Sequence, residues 1–398
     1  MMKESRSDAT LNILHFYGRV VVLALFTALS INGLQAADSP YEHIGKGDTV
    51  IHCVPAPIKA EYIKIIKKEM GFPANGRFKI VNKYGIVEMN TWDKNRVKIE
   101  VNIVVHTGSE EKATEVFNRI HIDFTKAADW VGAITEIGNA TNSWWQWGND
   151  NTKFEINYRT WMPEDANIAV ENKYGDTNIQ EFTGDADIKI GYGDLTINGV
   201  GGNLDLQLKY GNGLILKANN ISGEVAYSKL RIAKAGDLDM TTKYSKLDLE
   251  ESNNLTLNSR YDNSKLGELN KLICDAKYGD LTIGAVNDIL VNSQYTSYQI
   301  DKIIHQADLT LQHGGVKVLQ VADNFEGIEC NGKYADFYLK MHENSAFKLD
   351  AAGEYAGIKY PVNTTIQHES QQRGRHQVKG YKGNPNGKSV IKVTLNYG

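Results

Sequence analysis

Residues 244–278 read YSKLDLEESNNLTLNSRYDNSKLGELNKLICDAKY, with a tyrosine at the start, the middle and the end. Tyr244, Tyr261 and Tyr278 recur at an interval of 17, and the beat continues outward in both directions. Tyr174, Tyr192, Tyr210 and Tyr227 precede them, Tyr295 follows, and every interval is 17 or 18. His313 comes next at an interval of 18, and Tyr334 and Tyr355 follow at intervals of 21. A fixed period of this size is the mark of a chain built from stacked repeats.

Apolar residues keep the same beat. Three and five positions after the tyrosine stand pairs such as Leu195/Ile197, Leu230/Ile232, Leu247/Leu249 and Leu281/Ile283. Eleven and thirteen after it stand Leu238/Met240, Leu255/Leu257, Leu272/Cys274 and Ile289/Val291. In three of the longer units this pair slips by one, to Ala186/Ile188, Leu204/Leu206 and Ala307/Leu309, as a single insertion at a turn would cause. Alternation of apolar and polar residues places the apolar side chains on one face of a strand. One unit cannot bury that face alone, whereas stacked units can. The expected fold is therefore all-β: a single-stranded parallel β-helix or β-solenoid with coils of about 17–18 residues and a rise of about 4.8 Å per coil. Small helical elements are expected near the N-terminus. An antiparallel sandwich is the competing reading, and same-residue recurrence at same positions favours in-register parallel stacking.

The remaining chain divides around this body. Basic Lys3, Arg6 and Arg19, the apolar run Val20–Leu29 and the small-residue exit at Ala36-Ala37 form the order of a secretion signal over 1–36. Segment 37–72 is expected to be a helical cap, with PIKAEYIKIIKKEMGF at 57–72 as its helix. Segment 73–172 is expected to hold a first coil at Tyr84, with Val97-Lys98-Ile99 as its second run, an inserted helix at 109–119 and a polar loop carrying Trp144, Trp145 and Trp147. Regular repeats fill 173–361. Segment 362–398 is expected to be a polar, mobile loop followed by a closing strand at Val390–Leu395.

The units Lys173-Tyr174-Gly175-Asp176, Lys243-Tyr244-Ser245-Lys246-Leu247 and Lys277-Tyr278-Gly279-Asp280 carry a family resemblance. So do Tyr84-Gly85-Ile86-Val87-Glu88 with Thr91-Trp92-Asp93, and Phe154-Glu155-Ile156-Asn157-Tyr158. Together, over about residues 73–398, they resemble the "putative adhesin" family of exported bacterial proteins best represented in Bacteroidetes. That resemblance implies a β-solenoid in the cell envelope, in the periplasm or on the surface of a Gram-negative cell. It carries no catalytic residues.

Composition narrows the function further. The 398 residues include 36 Gly and 20 Tyr but only 7 Pro, as suits many short strands and tight turns. The net charge of −4 argues against nucleic acid. No segment after the leader is apolar enough to cross a membrane as a helix. Cys53, Cys274 and Cys330 are too few for a disulfide framework, and one bridge among them is left open. No clustered carboxylates, nucleophile motif or phosphate-binding glycine loop is present, so an enzyme, a metal and a cofactor are not expected. Asp176 and Asp194 would offer calcium only two carboxylates. The tyrosines Tyr174, Tyr192, Tyr210, Tyr227, Tyr244, Tyr261, Tyr278 and Tyr295 are expected to form a structural ladder. Trp144, Trp145 and Trp147 are the candidate binding residues for a glycan or an envelope protein. The expected function is adhesin-like binding or scaffolding. The alternatives are a polysaccharide lyase or hydrolase, or a regulatory partner of an envelope signalling protein.

Overall fold

A computed structural model describes residues 60–73, 76–138 and 152–398. The leader over 1–36, Cys53 and the tryptophans Trp144, Trp145 and Trp147 lie outside the described residues. What is described is all-β with one helix. The N-terminal part runs β1 (Ala60–Gly71), β2 (Arg77–Lys83), β3 (Val87–Trp92), β4 (Arg96–Thr107), α1 (Glu110–Arg119), β5 (Ile120–Lys126), β6 (Trp130–Ile137) and β7 (Lys153–Pro163). The repeats comprise β8 (Asn167–Lys173), β9 (Thr177–Ile179), β10 (Ala186–Gly191), β11 (Leu195–Ile197), β12 (Val200–Lys209), β13 (Asn212–Ala226), β14 (Lys229–Lys243), β15 (Lys246–Val321) and β16 (Gly327–Met341). The C-terminal part holds β17 (Phe347–Glu354), β18 (Thr365–Gln372), β19 (Arg375–Lys382) and β20 (Val390–Asn396).

Through the repeats, each unit pairs parallel with the next at the sequence period. Ala186 lies between Ile168 and Leu204, and Ile188 between Val170 and Leu206. Leu204 opposes Ile221, and Leu230 opposes Leu247. The offset between paired units shortens by one at an irregularity between Val200 and Asn203. That is the turn insertion read from the slipped apolar pairs. The 76 residues of β15 are not one straight strand. Extended, they would span about 250 Å, yet the rings of Tyr261 and Tyr278 within it lie 4.9 Å apart. The chain therefore returns over itself once per unit.

Alternation decides what is buried. Leu230 and Ile232 are buried while Lys229 and Arg231 between them are exposed, and Leu247 and Leu249 repeat the burial one unit on. Burying a Leu or Ile side chain contributes about 1.5–3 kcal/mol. These columns of like residues form one continuous core. Cys274 and Cys330 sit inside it as free thiols, and burial pushes the pKa of each up to about 12, so they act as small apolar fillers.

The ends depart from the expectation of uniform parallel stacking, and the sheet is mixed. The first unit, β2–Tyr84–β3, lies directly against β8 and β9, pairing Phe78 with Ile168 and Val87 with Thr177. The chain between them covers the outer side of that unit. β6 lies parallel on β2 and β7 parallel on β3. Beyond β7 come β4 and then β1, all antiparallel, with β5 antiparallel on β6. Val97 and Ile99 belong to β4 in this cap, so they are not the second run of the first coil. The helix expected at 57–72 is instead edge strand β1 over its described part. Tyr62, Ile66 and Met70 are spaced by four, which satisfies both a helical face and one side of a strand. The helix at 109–119 is present as α1, with Ser109 accepting from the Lys112 amide as its cap.

At the other end, the mobile loop expected in 362–398 before the closing strand is largely the antiparallel hairpin β18–β19, which pairs through β19 with β17. The strand expected to close the molecule does not lie outermost. β20 inserts between β16 and β17, parallel to both, so that Ile391 faces Ile328 on one side and Leu349 on the other.

One buried carboxylate ties two consecutive units together. Asp262 occupies the position after Tyr261 that glycine holds after Tyr192, and it is 2% exposed. Its oxygens accept from the Thr242 and Ser259 hydroxyls and from the Ser245 and Arg260 amides, at 2.6–2.9 Å. Asp262→Ala removes the acceptor for all four donors. Chemical denaturation is expected to show a loss of about 2–4 kcal/mol, and Asp262→Asn, which keeps one acceptor oxygen, a smaller one.

Candidate functional site

The tyrosine backbone is as regular as its spacing. Every ladder residue from Tyr84 to Tyr355, His313 included, has φ between 50° and 63°, a left-handed conformation that side chains other than glycine rarely adopt. It turns the chain sharply and leaves the amide pointing at the neighbouring unit. Tyr192 donates to the Lys209 carbonyl at 3.0 Å, and Tyr244 to the Arg260 carbonyl at 3.0 Å. The rings then stack face to face. Centroids from Tyr84 through Tyr174 and onward to His313 and Tyr334 are 4.7–5.2 Å apart, with planes within 16°. After Tyr334 the next ring is Tyr397, and only then Tyr355, because β20 is inserted there. The longer sequence interval between Tyr334 and Tyr355 conceals that extra layer.

This geometry limits what the ladder can bind. A sugar stacks on an open aromatic face, and the interior rings have both faces covered. Phe154 meets the outer side of Tyr84 edge-on at 5.5 Å. The Arg373–Gly374 turn packs on Tyr355, so close that a Cβ at Gly374 would lie 2.6 Å from the ring. What remains accessible is a row of ring edges and hydroxyls, with Tyr278 43% exposed. Lys83, Lys243 and Lys333 lie over the rings that follow them in sequence.

The acidic row beside the ladder is likewise engaged within the fold. Asp176 accepts the Asp194 amide at 2.9 Å, and Asp194 accepts the Asn212 amide at 2.8 Å. Among the described residues no group of three His, Cys, Asp or Glu is placed to hold a metal. A second polar row runs along another corner. Asn203 bonds to Asp185, Asn220 to Asn203, Asn254 to Asp237, and Asn287 to Asn270. Its period is visible in the sequence once asparagine is followed as tyrosine is. Beyond this row, His305 bridges Asp288 at 2.7 Å and Glu326 at 3.0 Å.

The place where the repeat is interrupted holds a local groove of about 640 Å³. It lies where β2, β6, β8 and β10 meet. Arg77, Lys79 and Lys189 line it with Asp129, Glu171 and Asp187, and the Trp130 indole lies among them. The Lys79 ammonium sits 5.4 Å from that ring, and Lys189 pairs with Asp187. Sequence reading missed this set because pairing across β2, β6, β8 and β10 gathers residues from distant parts of the chain, from Arg77 to Lys189.

No family model and no curated protein sequence matches the chain. Among solved structures it is similar to a "putative adhesin" from Bacteroides fragilis, at 11% identity over 70% of this chain and 97% of that one, with a TM-score of 0.30. A "putative adhesin" from Parabacteroides distasonis is 9% identical over 69% and 97%, with a TM-score of 0.33. A "putative cell adhesion protein" from Clostridium sporogenes is 8% identical over 85% and 94%, with a TM-score of 0.18.

The ladder yields a stability series. A left-handed residue costs about 1–2 kcal/mol, and each aromatic stack returns about 0.5–1.5 kcal/mol beyond area burial. Tyr244→Phe keeps both stacks, and its denaturation midpoint is expected to stay near that of the wild type. Tyr244→Ala keeps the backbone cost and loses the stacks, for a loss of about 2–3 kcal/mol. Tyr244→Gly relieves the backbone and is expected to fall between them. His305 yields a pH prediction. The Asp288 hydrogen bond chiefly raises its pKa above the ordinary 6.5, and Glu326 adds to the shift. Its contribution to stability is therefore fully present below the unfolded pKa and is lost as pH rises through the raised folded value. An NMR titration of the ring is expected to show that raised midpoint, and Asp288→Asn to bring it down.

Proposed function

We propose that the chain is an exported, adhesin-like β-solenoid that binds an envelope glycan at the Trp130 groove without transforming it. The parallel, in-register pairing from β8 through β16 supports the solenoid reading, with antiparallel strands as its end caps. The order basic, apolar, small over 1–36 supports export to the periplasm or cell surface. Among the described residues no helix is long and apolar enough to cross a membrane.

The groove carries the binding reading. Saccharide recognition combines an apolar ring for C–H faces with fixed polar groups for hydroxyls and acidic substituents. Trp130 supplies the first, and Arg77, Lys79 and Lys189 with their acidic neighbours supply the second. The set occurs once, because cap strand β6 brings Asp129 and Trp130 beside Arg77 and Lys79 of the first unit, whereas the tyrosines recur from unit to unit and stack on one another. That difference supports a structural role for the ladder and a recognition role for the groove. The polysaccharide-enzyme alternative draws on the same place, through Asp129, Glu171 and Asp187.

Glycan-array screening of the purified protein, followed by calorimetry on the strongest hits, tests the reading. Trp130→Ala and Lys189→Ala are each expected to weaken binding at least about tenfold while leaving the unfolding midpoint near that of the wild type. Binding that is indifferent to both substitutions, or no binding at all, would count against the groove. Release of reducing or unsaturated sugars from envelope polysaccharide would replace binding with catalysis.

A further inference from the structure

A strip of like charge runs beside the tyrosine ladder from Tyr227 to Tyr278. Lys243 and Lys277 stand immediately before Tyr244 and Tyr278, on the strand entering the corner. Lys229 and Lys246 stand two residues after Tyr227 and Tyr244, on the strand leaving it. Parallel pairing sets Lys229 opposite Lys246 and Lys243 opposite Arg260, so cations follow one another in layers about 4.8 Å apart. The Lys243 ammonium lies 5.7 Å from the centre of the Tyr244 ring. The strip is about 15 Å long, and the tyrosines along its midline are exposed at their edges.

The fold neutralises the cations around this strip and leaves the strip itself unpaired. Arg260 meets Asp275 at 2.8 Å, Lys209 meets Glu224 at 3.3 Å, and Lys234 meets Glu251 at 2.8 Å. Among the described residues no carboxylate lies within ion-pair distance of Lys229, Lys243, Lys246 or Lys277. Asp262, beside Tyr261, is buried and gives its oxygens to four donors of the fold. Asp280, two residues after Tyr278, marks where the strip ends. The chain as a whole carries a net charge of −4, so this local excess of lysine runs against the overall bias. Like charges set opposite one another in adjacent strands repel, and an anion laid across them relieves that repulsion.

We propose that this strip binds a linear acidic polysaccharide, a chain of uronic acid residues lying along the ladder axis. Its carboxylates would meet the two lysine rows, and its hydroxyls the tyrosine hydroxyls between them. The ladder keeps its structural role, because the ligand touches ring edges and not ring faces. The covered faces also set the ligand class. Single-stranded nucleic acid draws much of its affinity from stacking bases on open aromatic faces. Here Tyr244 and Tyr261 each lie between two other rings, at 4.9–5.1 Å. A polysaccharide held by its charges needs no open ring. The strip is separate from the Trp130 groove and does not depend on the glycan reading there.

Calorimetry on the whole protein tests this with hexagalacturonate as the probe, beside the uncharged galactose hexamer and a thymidine oligonucleotide of equal charge. Hexagalacturonate is expected to bind at low salt and to weaken at least about tenfold when ionic strength rises to about 0.15 M. Lys229→Gln with Lys246→Gln, and Lys243→Gln with Lys277→Gln, are each expected to weaken it at least about tenfold. The same pairs changed to arginine keep the charge and are expected to keep the affinity. Lys271→Gln makes the same charge change beside Asn270 of the asparagine row, at another corner, and is expected to leave binding unchanged. The proposal is overturned if hexagalacturonate does not bind, if the uncharged hexamer binds as well, or if the oligonucleotide binds more tightly. It is also overturned if Lys271→Gln weakens binding as much as the paired variants do. Binding lost in Trp130→Ala and kept in both glutamine pairs would place the acidic sugar in the groove and overturn the strip.

Discussion

Parallel pairing between successive units is the constraint from which the rest follows. Once the backbone of one unit is bonded to the next at the sequence period, every residue lies over its counterpart. Each position must then tolerate its own kind as a neighbour about 4.8 Å away. Aliphatic residues do so by forming columns in the core. Asparagine does so by bonding amide to amide along a corner. Tyrosine does so by stacking, and the stack helps to offset the left-handed turn that holds it. Charged residues tolerate it at the exposed surface, where Lys229 lies opposite Lys246 and Asp187 opposite Asp205. Elsewhere opposite charges meet, as Lys234 with Glu251 and Arg231 with Glu250.

A stack of this kind has two ends, and each exposes a layer of backbone and core. The N-terminal end is covered by an insertion of strands between the first unit and the second, with direction reversed at β4 and β1. The C-terminal end is covered on one side by the β18–β19 hairpin. Both covers change strand direction, which ends the parallel series. Among the described residues β1 is an edge, with Ile63 and Ile65 exposed and Lys64, Lys67 and Lys68 around them. Charge along an edge strand discourages unintended pairing.

The repeat is legible in the sequence because it is redundant. Lys83-Tyr84-Gly85 alone places Tyr84 in the ladder, and its φ of 63° and stack on Tyr174 agree. The one-residue slip at Leu204/Leu206 is legible for the same reason. Segments present only once are not. Tyr62, Ile66 and Met70 fit two periodicities, and pairing with β4 decides between them. Nothing local in Val390–Leu395 reveals that it enters between two strands formed much earlier in the chain, with Ile391 set between Ile328 and Leu349. The Trp130 groove is hidden for a related reason, since Arg77, Trp130 and Lys189 are gathered only by pairing across layers.

Uniformity also creates an ambiguity. A chain whose units resemble one another can misalign by a whole unit and still set tyrosine on tyrosine and leucine on leucine. The ladder therefore rewards stacking without specifying which copy follows which. That information has to come from the exceptions. Asp262 needs hydroxyls from Thr242 and Ser259. Tyr298 stands at the position that Leu230 and Leu247 hold in their units and meets the Cys274 sulfur. Gly213 leaves room for Leu230, whose Cδ1 would lie 2.6 Å from a Cβ there. Such singular residues act as keys that fit one neighbour and no other, and through them a periodic sequence arrives at one assembly order.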